Sequence, residues 1–187
     1  MLHTPRVRLH TPRVRLSAPR AQDAAAQTEA ITESLPALRA WSAALPWAQD
    51  APSLVASQAF VRSSLLEWQR GTALVYLVWE QGTQHLLGSV GLHALDWQTR
   101  HGELGFWCRS SRTGQGLMGE ATAELLRHAL QDLGLQRIEA LTDADNLRSC
   151  ALCERLGMQR VRDMQHAAEG DEGKTSRSIR VYAAVAG

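Results

Sequence analysis

One stretch constrains this chain more than any other: Ser110-Ser-Arg-Thr-Gly-Gln-Gly-Leu-Met-Gly119, a glycine-rich turn between a short apolar strand and a long amphipathic helix. Glu103-Leu-Gly-Phe-Trp-Cys108 leads into the turn. The helix expected over 115–133 carries Met118, Ala121, Leu125, Ala129 and Leu133 on one face, and Glu120, Glu124, Arg127 and Gln131 on another. Glycines let a backbone approach an anion, and the free N–H groups of a helix start favour negative charge. The turn therefore implies a phosphate-rich ligand.

Gly114, Gly116 and Gly119 also satisfy G-x-G-x-x-G, the dinucleotide fingerprint, and Glu139 or Asp143 follows at roughly the spacing of its acidic partner. The flanking pattern argues against that fold. A doubly wound domain continues into further parallel strands and helices. Here Thr72–Glu80, His85–His93 and Gly102–Cys108 are three strands with short links, which must run antiparallel. After the long helix come a strand over 136–142, a helix over 146–156 closed by Gly157, and two strands over 158–164 and 176–185 joined by a polar linker.

Before the meander the pattern is less regular. A heptapeptide is duplicated, Leu2-His-Thr-Pro-Arg-Val-Arg8 and Leu9-His-Thr-Pro-Arg-Val-Arg15. Two short units are not a solenoid. The second copy is expected to form the first strand, Arg13–Ser17, and residues 1–10 a flexible basic arm ahead of a single domain over 11–187. Helices are expected over 21–34, over 37–45 with Leu38, Trp41 and Leu45 on one side, and over 53–69. The last would pack Leu54, Ala59, Val61, Leu65, Leu66 and Trp68 inward. Pro36 separates the first two. Trp41 and Trp47 fall in a region with the irregularity of a substrate-specifying segment.

Composition narrows the function classes. With 187 residues, 44% hydrophobic and 21% charged, the chain suits one globular domain and excludes disordered or fibrous classes. No apolar run reaches the roughly 20 residues of a membrane span, and a cytosolic location with no membrane partner is expected. Net charge is +1, yet residues 1–20 hold five arginines and no acid, leaving −4 on the remainder. Such an arm either is a solvated tail or touches RNA or an acidic protein. Cys108, Cys150 and Cys153 make no disulfide framework, and Cys150-Ala-Leu-Cys153 lacks the context of a redox or zinc site. They are expected to pack a helix, and no metal is expected.

The order strand, helices, three antiparallel strands, helix, strand, helix, two strands resembles the GNAT acetyltransferase superfamily, and within it the RimJ/RimL branch. The residues carrying the resemblance are Glu103-Leu-Gly-Phe-Trp107, Gly114-Gln-Gly-Leu-Met-Gly-Glu-Ala121, Leu135-Gln-Arg-Ile-Glu-Ala140, Asn146-Leu-Arg-Ser149 and Leu156-Gly-Met158. Departures are Ser111 where many members have Gln or Arg, Thr113 where an aromatic is usual, and Met158 where Phe is usual. None removes a backbone donor.

The resemblance implies an α+β sandwich with a mixed, mostly antiparallel sheet of about seven strands flanked by helices. It implies acetyl-CoA as donor and a primary amine as acceptor, foremost a protein N-terminus. The ribosome would then be an associated partner, and exposed strand edges would allow a homodimer. The pyrophosphate is expected on the backbone of Arg112, Thr113, Gly114, Gln115, Gly116 and Leu117, with Arg109 and Arg112 adding charge at the rim. The pantetheine arm is expected along Phe106-Trp107-Cys108, where an N–H near Trp107 or Cys108 polarises the thioester carbonyl.

Glu103 takes the place of the catalytic base, acting through water. Asn146 takes that of a cofactor contact or helix cap, and Ser149 that of the acid for the leaving thiolate. Cys150 is a second candidate acid. An α-amine, with pKa about 7.7–8.0, needs less help than a lysine near 10.4. His93 and His101 fall toward the acceptor side, but lone histidines are more often packing or surface residues, and no role is assigned to them. Two other functions fit the same motifs: acetylation of a small amine such as a polyamine, amino acid or antibiotic, and non-catalytic acyl-CoA binding.

Overall fold

The computed structural model describes residues 5–41, 45–166 and 177–187. Its elements are β1 (Arg8–His10), β2 (Val14–Ser17), α1 (Ala24–Arg39), α2 (Leu54–Arg70), β3 (Leu74–Glu80), β4 (Leu86–Asp96), β5 (His101–Cys108), α3 (Leu117–Arg127), β6 (Arg137–Asp143), α4 (Leu147–Arg155), β7 (Gln159–His166) and β8 (Arg177–Val185). One eight-stranded sheet has the order β1-β2-β3-β4-β5-β6-β8-β7, with β5–β6 its parallel pair and its other pairs antiparallel.

Strand periodicity divides the core. Leu74, Tyr76 and Val78 point to a cluster shared with Met118, Ala121 and Leu125 of α3 and Cys150, Leu152 and Cys153 of α4. Leu77, Trp79, Leu86 and Trp107 point to a second cluster capped by Ala30 and Leu38 of α1. The cysteine pair thus packs a helix, and burial pushes the Cys153 thiol up to about 12. Among the described residues no helix is long and apolar enough to cross a membrane.

Four expectations are corrected. First, the arm preceding the domain is structured where it is described. Arg8–His10 pairs with Val14–Ser17 as an edge hairpin, so a strand forms across the junction of the two copies and the sheet has eight strands. Buried polar groups hold this segment: the Tyr76 hydroxyl donates to the Arg6 carbonyl at 2.8 Å, and the Arg6 N–H donates to His128 Nε2 at 3.3 Å. Second, Pro36 does not end a helix. α1 runs through it to Arg39; Pro36 gives up the one bond its missing N–H would have made, and Leu38 beyond it is buried in the second cluster.

Third, α2 turns a different face inward. Ser57, Val61 and Ser64 are buried while Leu54, Leu65 and Leu66 are exposed. Small residues let α1 come close enough for Thr28 Oγ1 to donate to Ser57 Oγ at 2.9 Å. Fourth, the long helix after the glycine turn is α3 followed by a wider π turn, His128–Asp132. There His128 Nδ1 and Asp132 Oδ2 lie 2.8 Å apart. The polar linker between β7 and β8 lies outside the described residues.

Candidate active site

The parallel ladder between β5 and β6 spans three residues a side, His101–Glu103 against Arg137–Glu139. Past it each strand stays with its outer neighbour, β5 bonded to β4 as far as Cys108 and β6 bonded to β8 as far as Asp143. The inner edges diverge. The gap opens into a cleft of about 870 Å³, walled by Leu104–Cys108 on one side and 140–143 on the other, with α3 and α4 supplying Leu117, Met118 and Leu152.

The glycine turn closes one end. Arg109 N–H donates to Leu87 O at 2.7 Å, and a single 3-10 turn, Ser110–Arg112, follows. That turn uses two of the expected donors itself, Arg112 N–H to Arg109 O at 3.0 Å and Thr113 N–H to Ser110 O at 3.3 Å. Gly114 and Gly116 then take left-handed conformations, with φ of 76° and 75°. The first intrahelical bond of α3 is Glu120 N–H to Gly116 O at 3.0 Å, so the N–H groups of Leu117, Met118 and Gly119 are left for a ligand. Arg112 and Thr113 are thus taken, and the free N–H groups extend into α3 beyond the expected residues 112–117.

The cradle is braced from two sides. α1 accepts Ser110 N–H on Ser34 Oγ at 3.0 Å and Ser111 N–H on Glu33 Oε1 at 2.9 Å. Hydrogen bonds from Ser111, then the Arg109 guanidinium, hold the Glu33 carboxyl down at about 2. From the other side the β1–β2 hairpin reaches over: Arg13 Nε pairs with Glu120 at 2.6 Å, and its Nη1 donates to Gln115 O at 3.1 Å.

Nine of the twelve expected site residues line the cleft: Trp107, Cys108, Arg112, Thr113, Gly114, Gly116, Leu117, Asn146 and Ser149. Asn146 also caps α4, accepting the Ser149 N–H at 3.2 Å. Arg112 pairs with Glu80, and its Nε is buried with no partner. Burial pushes the Cys108 thiol up to about 11, which leaves it a poor nucleophile. Three residues stand outside the lining. Arg109 is buried and committed to Glu29 and Glu33 of α1, each at 2.5 Å, so it braces the turn instead of charging the rim. Gln115 is exposed, and Glu103 sits in the parallel ladder where the strands still pair, in register with Glu139.

Sequence reasoning missed other lining residues. Arg148 and Arg155 on α4 line the cleft, and neither has an ion-pair partner among the described residues. They are the cations best placed for a polyanionic ligand, and their spacing along a helix beside Asn146 was the available signal. Trp41 and Leu45 give the opposite mouth an apolar lip. There Arg177 joins Asp143 at 3.2 Å to the Ala40 carbonyl at 3.3 Å.

These features fit a CoA-type ligand: an open strand edge for an amide-bearing arm, a helix start with free donors, and unpaired arginines for phosphates. Residues 13–159 match the acetyltransferase (GNAT) domain family. The chain is 33% identical over 72 residues to the putative ribosomal N-acetyltransferase YdaF of Bacillus subtilis, covering 38% of this chain and 39% of that protein. It is 26% identical over 113 residues to the ribosomal-protein-serine acetyltransferase of Escherichia coli, covering 60% and 62%. The matched stretches therefore span less than two thirds of these relatives' own lengths. Among solved structures, RimL, a ribosomal L7/L12 alpha-N-protein acetyltransferase in complex with coenzyme A, superposes with a TM-score of 0.84 over 94% of this chain and 96% of its own, at 23% identity, and so shares the fold. A family match over most of the chain, on a sheet that opens at the matched strands, makes this protein a member of the GNAT acetyltransferase family.

Proposed function

We propose that the protein is an acetyl-CoA-dependent N-acetyltransferase whose acceptor is the α-amine of a protein N-terminus. The observation that carries this reading is the open inner edge of β5, running directly into the unpaired N–H groups at the start of α3. Gly114–Gly119 would hold the pyrophosphate, with Arg148 and Arg155 on the outer phosphates. The 105–108 edge would pair with the pantetheine amides and direct an N–H at the thioester carbonyl. The bound thioester supplies an activated acyl carbon.

The acceptor would enter from the Trp41 and Leu45 mouth. Deprotonation is driven from Glu103, and because its carboxylate is not in the cleft lining, a group must intervene between it and the amine. Ser149, half-buried in the wall, would protonate the thiolate. The high pKa of Cys108 favours direct attack over an acyl-enzyme. The two curated relatives named above are described as ribosomal acetyltransferases, which makes a ribosomal-protein N-terminus the first acceptor to test, ahead of small amines.

Thermal unfolding with acetyl-CoA, CoA and NADH in parallel tests the site. At a hundred times its dissociation constant a ligand stabilises by about 2.7 kcal/mol, or about 5–10 °C for a chain of this size. Acetyl-CoA and CoA are expected to give that shift and NADH none. A shift with NADH alone would overturn the reading. Peptides with free N-terminal Ser, Ala or Met, and spermidine, then rank the acceptors.

A further inference from the structure

The position between Glu103 and the cleft is filled. Glu103 on β5 is the register partner of His93 on β4, so both side chains leave the same face of the sheet at neighbouring sites. Two residues nearer the cleft the corresponding pair is Gly91 and Gly105. Neither carries a side chain, and the His93 imidazole lies in the space this leaves. Its Nε2 is 3.1 Å from where a Cβ on Gly91 would stand and 3.2 Å from one on Gly105. Gly105 is part of the cleft wall. The ring thus reaches from the level of Glu103 to the backbone that lines the site.

The residue as a whole is exposed, yet its ring is laid down on the sheet. That desolvation lowers its pKa below the ordinary imidazole value, against the opposing charges of Glu67 on α2 and Glu103 on β5. An imidazole kept neutral at neutral pH is free to take a proton, and the nearby carboxylates steady the imidazolium that results.

We propose that His93 is the proton acceptor for the incoming amine and that Glu103 is its positioning residue. The inference rests on the acetyl-transfer reading above. His93, like Glu103, is not itself among the lining residues, so in the step the acceptor ammonium gives one proton to His93 Nε2 through a water at the Gly105 wall, and the neutral nitrogen attacks the thioester carbonyl carbon. The C–N bond forms and the C–S bond breaks, with its electron pair leaving on sulfur. The nitrogen's second proton passes to the thiolate by way of Ser149, and the imidazolium returns its proton to solvent at the exposed edge of the ring.

The test uses His93→Gln, which keeps the size and takes no proton, with His93→Ala as a second variant. Thiol release from saturating acetyl-CoA and a hexapeptide with a free N-terminal serine is followed from about pH 6 to about pH 9.5, a range spanning the imidazole and α-amine pKa values. Both variants are expected to keep the acetyl-CoA thermal shift and to lose about 10²- to 10³-fold in kcat/KM near neutrality. The loss should shrink at high pH, where the amine deprotonates unaided.

In the ligand-free protein, the histidine ring-proton resonance absent from His93→Gln should titrate below the ordinary imidazole range, and further down in Glu103→Gln. Wild-type rates and pH profile in His93→Gln would remove His93 from the chemistry. A titration unmoved by Glu103→Gln would remove the coupling. A wild-type protein that binds acetyl-CoA but releases no thiol with any acceptor overturns the acetyl-transfer reading, and this inference with it.

Discussion

Gly88→Ala is expected to destabilise the protein by about 2–6 kcal/mol, combining backbone strain with overpacking. Gly88 lies on β4 at φ 143°, and a Cβ there would stand 2.1 Å from the Trp107 carbonyl oxygen and 3.0 Å from Met118 Cε. The methionine end can move; the carbonyl belongs to a paired strand and cannot. Gly88 is bonded in register to Val78 on one side and Cys108 on the other, beside the shift in the β3–β4 ladder. The strain therefore passes straight into the 105–108 wall, and acetyl-CoA affinity should fall together with stability. A drop in the unfolding midpoint of about 5–20 °C is the expected reading. A midpoint within a degree of the parent would mean that the two strands do not approach this closely in solution.

Deleting residues 2–8, one copy of the repeat, is expected to cost about 2–6 kcal/mol. The loss does not come from the Arg6–Asp132 pair, which is 3.6 Å long and largely exposed. It comes from two buried groups left without partners. The Tyr76 hydroxyl, on a residue with no exposed surface, loses the Arg6 carbonyl, and His128 Nε2, almost as buried, loses the Arg6 N–H. Each orphan costs about 1–3 kcal/mol. Adding Tyr76→Phe in the deleted chain should recover part of the loss, because it removes the orphaned hydroxyl, whereas the same change in the full chain should destabilise. Urea unfolding of the four proteins closes that cycle. Equal midpoints for full and deleted chains would make the first copy dispensable.

What the sequence made legible was local. The three-strand meander, the turn with its glycines, α3 and α4 all follow from periodicity and stop signals, and their ends fall within a few residues of expectation, except that α3 gives way to the π turn at His128. The same locality placed nine site residues on one cleft. What escaped depends on partners distant in sequence. Arg109 looked like a rim cation because nothing near it in the chain shows that Glu29 and Glu33 of α1 will face it. Leu65 and Leu66 looked like core because propensity and hydropathy favour them, but the close approach of α1 selects Ser57 and Ser64 instead. The expected donors at Arg112 and Thr113 were consumed by a turn whose hydrogen bonds have no sequence signature. His93 is the sharpest case, since its setting depends on two glycines brought opposite each other by the β4–β5 register.

The three-residue ladder between β5 and β6 also has a thermodynamic consequence. One buried core spans both halves of the sheet, but the ladder between them ends after three residues, so the seam is where local opening should cost least. A ligand lying along both walls would bond where the missing ladder would be and act as a temporary central strand. Amide hydrogen exchange at Arg137–Glu139 should then slow on acetyl-CoA binding as much as exchange at the residues the ligand touches. Slowed exchange there would mean that substrate binding completes the sheet.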